Sequence, residues 1–152
     1  MRVLVVGGGG REHALVWRLA RDPDVGEVLA APGNGGIARE VRCLPVVAED
    51  VEAVASTAER ERADLVVVGP EAPLVAGLAD ELRRHELPVF GPTAAGARLE
   101  GSKAWTKALC ERHGIPAAGS RTVTTMEEGL EALDAFGPPY VVKADGLAAG
   151  KG

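Results

Sequence analysis

Two short runs of apolar residues, each followed directly by glycine, restrict the possible folds of this chain most strongly. Residues 3–6 (VLVV) and 65–68 (LVVV) contain no polar side chain, and Gly7 and Gly69 come next. A strand that is apolar on both sides must be covered on both faces, as in a parallel sheet between two helical layers. Helical patterns follow both runs. The sequence therefore predicts an α/β fold with an open, mainly parallel, Rossmann-like sheet and helices on both faces.

The same alternation continues along the first hundred residues. Further strands are predicted over 27–31, 41–46 and 88–90, and helices over 11–21, 50–62, 74–84 and 93–99. After Gly101 the pattern changes: Ser102 is suited to cap a helix that ends near 113, and Thr125 begins a capping box for a helix to about 136. Strands are predicted over 120–124 and 140–143. We predict one domain over 1–101 and the start of a second over 102–152.

Composition excludes several classes of function. Aromatic residues make up only 3% of the chain and the net charge is −5, so a nucleic-acid surface of stacked aromatics and basic residues is not expected. Cys43 and Cys110 lie far apart, and the three histidines lack metal-ligand spacing, so no metal site is predicted within the chain. The first apolar run is too short for a signal peptide or a membrane span, so we expect a cytoplasmic protein without a membrane partner.

Four consecutive glycines, Gly7–Gly10, form a loop between the first predicted strand and the first helix; this is the glycine loop. Glycines at this point let backbone approach a ligand, and a helix N-terminus favours an anion. The dinucleotide fingerprint G-x-G-x-x-G does not fit, because Glu12 or His13 stands where the third glycine should be. The second strand also ends in Ala31-Pro32-Gly33 rather than in an acid for a ribose hydroxyl. A tight turn without a ligand is the alternative; the number of glycines favours a ligand loop.

A second loop, Gly69-Pro70-Glu71, follows the second apolar strand. The carboxyl ends of strands in an open parallel sheet line one crevice, so this loop should lie near the first glycine loop. Glu71 would hold a hydroxyl or an amine there. A solvated turn residue is an equally good interpretation of Glu71 from the spacing alone.

All four lysines lie in the last fifty residues. Gly101-Ser102-Lys103 has the last two residues of a Walker A loop in reversed order, so it is not a P-loop, and Lys107 fits a solvated helix face. Lys143 ends an apolar run, and alternation places it opposite Val142, where a buried ammonium would need a phosphate or Asp145 as partner. The following segment, rich in glycine and ending in a second lysine, has the composition of a lid over polyphosphate.

Together these motifs resemble the phosphoribosylamine–glycine ligase family of de novo purine synthesis, which belongs to the ATP-grasp superfamily. The resemblance covers the chain from end to end, in family order. The stretches that carry it are 3–14 (VLVVGGGGREHA), 31–36 (APGNGG), 67–73 (VVGPEAP), 90–93 (FGPT), 99–107 (LEGSKAWTK), 113–116 (HGIP) and 141–152 (VVKADGLAAGKG).

The resemblance implies an N-terminal substrate domain, called pre-ATP-grasp, followed by the opening of the ATP-grasp domain. It implies ATP contacts from one set of residues: Lys103, Lys143, Gly146, Gly150, Lys151 and Gly152. It implies a site for 5-phosphoribosylamine from another set: Gly8, Gly9, Gly10, Arg11, Glu12, Asn34, Gly69, Pro70 and Glu71. Glycine is the third substrate, and the ligands of Mg²⁺ or Mn²⁺ are expected beyond Gly152.

The family reaction joins glycine to 5-phosphoribosylamine, and ATP gives ADP and phosphate. No catalytic residue is assigned within 1–152, and we expect this segment alone not to catalyse ligation. A monomer acting only on small molecules is expected. Two alternatives remain: a related ATP-grasp enzyme, such as a purine-pathway carboxylase or a biotin carboxylase-like subunit, and a non-catalytic module that binds a nucleotide or a sugar phosphate.

Overall fold

Five parallel strands form the centre of the first part of the chain. They are β1 (Arg2–Gly7), β2 (Glu27–Pro32), β3 (Arg42–Cys43), β4 (Leu65–Val68) and β5 (Val89–Phe90). Their order in the sheet is β3-β2-β1-β4-β5, so β1 lies in the middle, with Leu4 opposite Leu29 on one side and Val66 on the other. The predicted parallel α/β sheet is confirmed.

The computed structural model describes residues 1–148 and divides the chain into two units, Met1–Ala97 and Arg98–Gly152. The helices are α1 (Gly10–Leu19), α2 (Val51–Arg60), α3 (Glu71–Val75), α4 (Leu78–Arg84), α5 (Ala94–Gly101), α6 (Lys103–Arg112) and α7 (Met126–Phe136), with a 3₁₀ turn at Ile37–Arg39. The longest, α7, has 11 residues, and none within 1–148 has the length and apolar character needed to cross a membrane.

Side chains of the central strand alternate between two buried clusters, one on each face of the sheet. Leu4 and Val6 belong to a cluster that also contains residues of α2 and α4, including Val54 and Leu82. Val3 and Val5 belong to a second cluster, which Val16 of α1 and Ile37 complete. Both faces of β1 are therefore covered, which explains why the strand is apolar throughout, as the sequence predicted.

The helix predicted over 74–84 and the strand predicted over 41–46 differ from the observed elements. The helix predicted over 74–84 is two helices, because Gly77 has a φ of +98° and ends the first of them. The strand predicted over 41–46 covers only Arg42–Cys43, and Leu44 N–H adds one further bond to the Ala30 carbonyl at 2.8 Å. Pro45 follows, and because it has no N–H the pairing cannot continue.

The second unit contains both predicted helices but neither predicted strand. Ser102 Oγ accepts the Trp105 N–H at 3.1 Å at the start of α6, and Thr125 with Glu128 forms the capping box of α7, as predicted. The strands over 120–124 and 140–143 were wrong: both segments are irregular and exposed, with Val142 79% exposed. A strand needs a neighbouring strand for its backbone hydrogen bonds, and the described residues of this unit supply none.

Candidate functional site

The loops that follow β1 and β4 lie side by side, because these strands are neighbours at the centre of the sheet. The chain order of the strands reverses here, which is where open α/β sheets bind ligands. A cleft of about 500 Å³ opens at this point. Its lining residues are Gly7, Gly8, Gly9, Arg11, Glu12, Pro32, Pro45, Val46, Val47, Ala48, Glu49 and Pro70.

Close approach of two loops explains the glycines after β1. Gly7 has a φ of +122°, a conformation that other residues rarely adopt, and its carbonyl accepts the Gly33 N–H at 3.2 Å. No Cβ fits at Gly8, because it would overlap the Gly33 carbonyl oxygen. Asn34 completes the contact by donating from its side-chain amide to the Gly8 carbonyl at 2.8 Å.

Asn34 also shapes its own loop. Its side-chain oxygen accepts the N–H groups of Gly36 and Ile37, at 2.7 and 2.9 Å, and so fixes the start of the 3₁₀ turn. Because its amide nitrogen donates to the Gly8 carbonyl, both the oxygen and the nitrogen of the Asn34 side chain are engaged in hydrogen bonds within the protein. This residue therefore lies behind the glycine loop and is not among the residues that line the cleft.

Glu12 is buried beneath the glycine loop although it carries a carboxylate; the residue is 2% exposed. One oxygen, Oε2, accepts the Gly9 N–H at 2.6 Å at the start of α1. Space for the side chain comes from three glycines, since a Cβ at Gly7 would lie 2.6 Å from Glu12 Cγ, and one at Gly9 or Gly69 would also collide with this side chain. Both loops are thus packed around a single acid.

Arg11 joins the two loops at the surface of the cleft. Its guanidinium donates to both carboxylate oxygens of Glu71, at 2.7 and 3.2 Å, and Glu71 begins α3. The bond from Arg11, more than any other influence, holds the pKa of the Glu71 carboxyl below its ordinary value, and the same pair raises the pKa of Arg11. Glu71 is therefore an ionised acceptor oriented by Arg11 at neutral pH, on a side chain that remains 42% exposed.

One wall of the cleft was missed from the sequence. It is the segment 45–49 between β3 and α2, which has Val47 exposed and ends in the acidic residue Glu49. Its position could have been predicted, because every loop that follows a parallel strand lies at the same edge of the sheet. The loop was not predicted to contribute because the strand before it has only a weak sequence pattern.

In the second unit, residues near the predicted lid bond to the start of α6. Asp145 accepts the backbone N–H groups of Lys103 and Ala104, at 2.6 and 3.2 Å, and the Ser102 hydroxyl at 3.0 Å. The Ala104 N–H is the largest influence among those that lower the pKa of Asp145. Lys103 Nζ donates to the Gly146 carbonyl at 2.7 Å. Lys103 and Gly146, both predicted to contact ATP, are therefore adjacent.

The other predicted ATP contacts have different outcomes. Lys143 is exposed in an irregular segment, so the predicted buried position at the end of a strand was wrong. Val142 next to it is also exposed. Gly150, Lys151 and Gly152 lie outside the described residues. Lys107, predicted to lie on a solvated helix face, is instead half-buried, and its Nζ donates to the Ala118 carbonyl at 2.6 Å.

The described residues do not fit a divalent metal ion. Within 1–148, no group of three or more His, Cys, Asp or Glu side chains converges to hold one. Mg²⁺ takes several oxygen ligands in octahedral geometry, and this segment offers no such set.

Comparison with known proteins identifies the family. The model of the phosphoribosylglycinamide synthetase N domain matches residues 1–100, and that of the ATP-grasp (A) domain of the same synthetase matches 101–152. The chain belongs to the phosphoribosylglycinamide synthetase family. The resemblance seen in the sequence is confirmed.

Individual relatives agree with the family. The chain is 57% identical to the phosphoribosylamine–glycine ligase of Streptomyces coelicolor, over its whole length and 36% of the relative. The crystal structure of the Thermotoga maritima phosphoribosylamine–glycine ligase superposes with a TM-score of 0.77 at 35% identity, covering 100% of this chain and 35% of that one. The chain thus spans about a third of the length of these relatives.

The structure of a different enzyme shares the fold at much lower identity. The N5-carboxyaminoimidazole ribonucleotide synthetase of Thermotoga maritima superposes with a TM-score of 0.67 over 91% of this chain and 37% of that one, at 15% identity. This likeness shows a common architecture and nothing more about function. The family of this chain is therefore shown by the matching family models and not by the shared fold.

Proposed function

We propose that this chain is part of an ATP-dependent ligase that joins glycine to 5-phosphoribosylamine, giving glycinamide ribonucleotide, ADP and phosphate. The observation that carries the proposal is the match of both family domains along the whole chain, with a cleft formed by the family's glycine motifs. In this proposal 1–101 is the substrate domain and 102–152 begins the ATP-grasp domain. The ligands are small molecules: 5-phosphoribosylamine, glycine and ATP.

The cleft in the first unit suits a phosphorylated pentose. The first N–H groups of a helix have no partner within it, so the start of α1, at Gly10 and Arg11, can receive phosphate oxygens. Gly8 and Gly9 let the ligand approach the backbone. The acids Glu12 and Glu71 can accept hydrogen bonds from sugar hydroxyls or from the amine. Pro70 supplies an apolar surface beside them.

Two of the predicted substrate residues act indirectly in this proposal. Asn34 fixes the carbonyl of Gly8 and so holds the glycine loop in its open shape. Gly69 leaves the space that the Glu12 side chain occupies. Both residues would then affect ligand affinity through the loop and the buried acid rather than by contact with the sugar.

The reaction requires an activated carboxyl group. Transfer of the γ-phosphoryl group of ATP to a glycine carboxylate oxygen gives glycyl phosphate and ADP. The amine nitrogen of phosphoribosylamine then attacks the carbonyl carbon, a C–N bond forms, phosphate leaves and the nitrogen loses a proton. Lys103, Lys143 and Gly146 are proposed to contact ATP from the second unit, where cationic side chains would balance charge on the transferred phosphoryl group.

Calorimetric titration with ribose 5-phosphate tests the first-unit site, because this sugar carries a hydroxyl in place of the unstable amine. We expect saturable binding that ribose without phosphate does not reproduce. NADH serves as a control for the dinucleotide alternative and should not bind. Absence of ribose 5-phosphate binding, or tight binding of NADH instead, would contradict the proposal.

A further inference from the structure

The half-buried side chain of His13, in the first turn of α1, packs against the loop that follows β2. A Cβ placed on Gly36 of that loop would lie 2.7 Å from the ring atom Cε1 and 3.0 Å from Nδ1. Gly36 has a φ of −76°, which any residue can adopt, so the position requires space and not a conformation special to glycine. The imidazole ring thus fills the space that a side chain at Gly36 would need.

Glu40 holds the His13 ring in this orientation. Its Oε1 atom lies 3.0 Å from His13 Nε2, and because a carboxylate only accepts, Nε2 is the donor. The other oxygen, Oε2, accepts from the Arg21 guanidinium at 3.2 Å. The bond from His13, followed by that from Arg21, holds the pKa of Glu40 below its ordinary value. Both donors therefore fix an ionised carboxylate on the residue that directly follows the 3₁₀ turn.

The other end of the same loop bonds to the glycine loop. The Gly33 N–H donates to the Gly7 carbonyl at 3.2 Å, and the Asn34 amide donates to the Gly8 carbonyl at 2.8 Å. Gly7 and Gly8 line the cleft, whereas His13 is not among the lining residues. The loop 33–36 thus connects the His13 ring to the backbone that forms the cleft.

We propose that His13 is a positioning residue of the cleft: its ring, fixed by Glu40, holds the loop 33–36 in the conformation that bonds to the glycine loop. His13 does not touch the ligand but acts on it through this loop. The effect on sugar-phosphate affinity rests on the proposed function. Without the ring, the loop spends less time in the shape that binds ligand, and the apparent affinity falls by the same fraction.

Calorimetric titration of the whole chain with ribose 5-phosphate measures the effect on binding. His13→Ala should bind about tenfold more weakly than wild type, as for one lost hydrogen bond to a charged partner. His13→Gln should keep most of the affinity, because its side-chain amide can still donate to Glu40. The control His113→Ala, which removes an exposed histidine of the second unit, should bind like wild type. The urea midpoint of His13→Ala should change little, because partly exposed pairs contribute little to stability.

Amide hydrogen exchange without ligand measures the restraint on the loop by itself. In His13→Ala the N–H groups of Gly33 and Gly36 should exchange faster than in wild type, because the bonds that protect them open more often. The Val66 N–H, which donates to the Pro88 carbonyl at 2.9 Å, should exchange at the wild-type rate. An equal increase at all three amides would indicate a general loss of stability and would contradict a positioning role.

A double-mutant cycle tests the contact between the ring and the loop. The methyl group added by Gly36→Ala collides with the His13 ring in wild type but has more room in His13→Ala; its contact with Asn34 Oδ1, at 3.1 Å, is present in both. Gly36→Ala should therefore weaken ribose 5-phosphate binding more in wild type than in His13→Ala. Equal losses in the two backgrounds would show that the ring does not act through Gly36.

The possible failures can be told apart. If wild type does not bind ribose 5-phosphate, the proposed function is wrong, and the exchange rates of Gly33 and Gly36 still decide whether His13 restrains the loop. If wild type binds and His13→Ala binds equally well, or His113→Ala loses as much affinity, only this inference is overturned. Should His13→Ala fail to fold, Glu40→Ala takes its place: weaker binding with faster Gly36 exchange supports the inference, and wild-type behaviour contradicts it.

Discussion

Glu12 and Gly69 share one small space beneath the cleft, and no Cβ fits at Gly69 without entering the Glu12 side chain. The two residues belong to different loops, which follow neighbouring strands of the sheet. An acid on one loop is thus accommodated by the absence of a side chain on the other. This relationship couples the stability of the first unit to the integrity of its cleft.

Gly69→Ala should therefore destabilise the chain by about 1–3 kcal/mol, the usual cost of overpacking a tightly filled site. The added methyl group forces Glu12 to move, and the bond from the Gly9 N–H is weakened with it. Urea unfolding measures the change. Gly35→Ala is the matched control, since nothing lies within 4 Å of a Cβ there. Equal stability of the two variants would show that Glu12 is not held by Gly69.

Arg11→Ala should weaken ribose 5-phosphate binding about tenfold, in line with loss of a charge-assisted hydrogen bond. Without Arg11, the carboxylates of Glu12 and Glu71 face the phosphorylated ligand without a neighbouring cation. Stability should change little, because the Arg11 side chain is 63% exposed and exposed ion pairs contribute little.

The control for this variant is Arg39→Ala, which removes an exposed arginine outside the cleft. Calorimetry on both variants separates a specific effect from a general change in charge. If Arg39→Ala weakens binding as much as Arg11→Ala, the Arg11–Glu71 pair has no particular role in the cleft.

The stability of the first unit should depend on the ionisation of His85. Its two ring nitrogens lie 2.8 Å from Glu59 of α2 and 3.0 Å from Glu81 of α4, and Arg84 also pairs with Glu81. The bond to Glu59, followed by that to Glu81, raises the pKa of His85 above 6.5. Its contribution is complete below the unfolded-state pKa of about 6.5 and is lost as pH rises through the higher folded-state value.

Urea unfolding at about pH 5.5 and about pH 8.5 measures this effect, because these values lie on either side of the ordinary histidine pKa. His85→Gln should lower the midpoint at the acidic pH and have less effect at the alkaline one. A loss that is equal at both values would contradict a contribution from the imidazolium form.

Asp145→Ala should expose the first amides of α6 to solvent. The carboxylate accepts the N–H groups of Lys103 and Ala104, so their hydrogen exchange should become faster. The Trp105 N–H bonds to Ser102 and should keep its protection. Asp134→Ala, an exposed acid of α7, should leave all three rates unchanged. Unchanged exchange in Asp145→Ala would show that the carboxylate does not cap α6 in solution.

Local sequence patterns predicted the elements of the first unit because each element buries its apolar side chains against neighbours within the same unit. The apolar run of β1 and the amphipathic pattern of α2 need only the neighbouring elements of the same unit, and both are present. The two glycine loops could also be placed together, since the parallel sheet brings the ends of β1 and β4 to one edge.

Other features depend on contacts that single-sequence patterns do not contain. Residues 140–143 are apolar enough for a strand, yet pairing with another strand decides whether one forms. The burial of Glu12 depends on Gly69, which is distant in sequence and was predicted as a ligand contact. Asp145 could be predicted as a partner of Lys143, but its bonds to the start of α6 need the folded geometry.

The most direct measurement is the amide NMR spectrum of the whole chain during titration with ribose 5-phosphate. The proposed site predicts saturable shifts at Gly8, Gly10, Arg11 and Gly69, with small changes elsewhere in the first unit. Shifts confined to other surfaces, or a spectrum that does not change at saturating ligand, would contradict a sugar-phosphate site at the ends of β1 and β4.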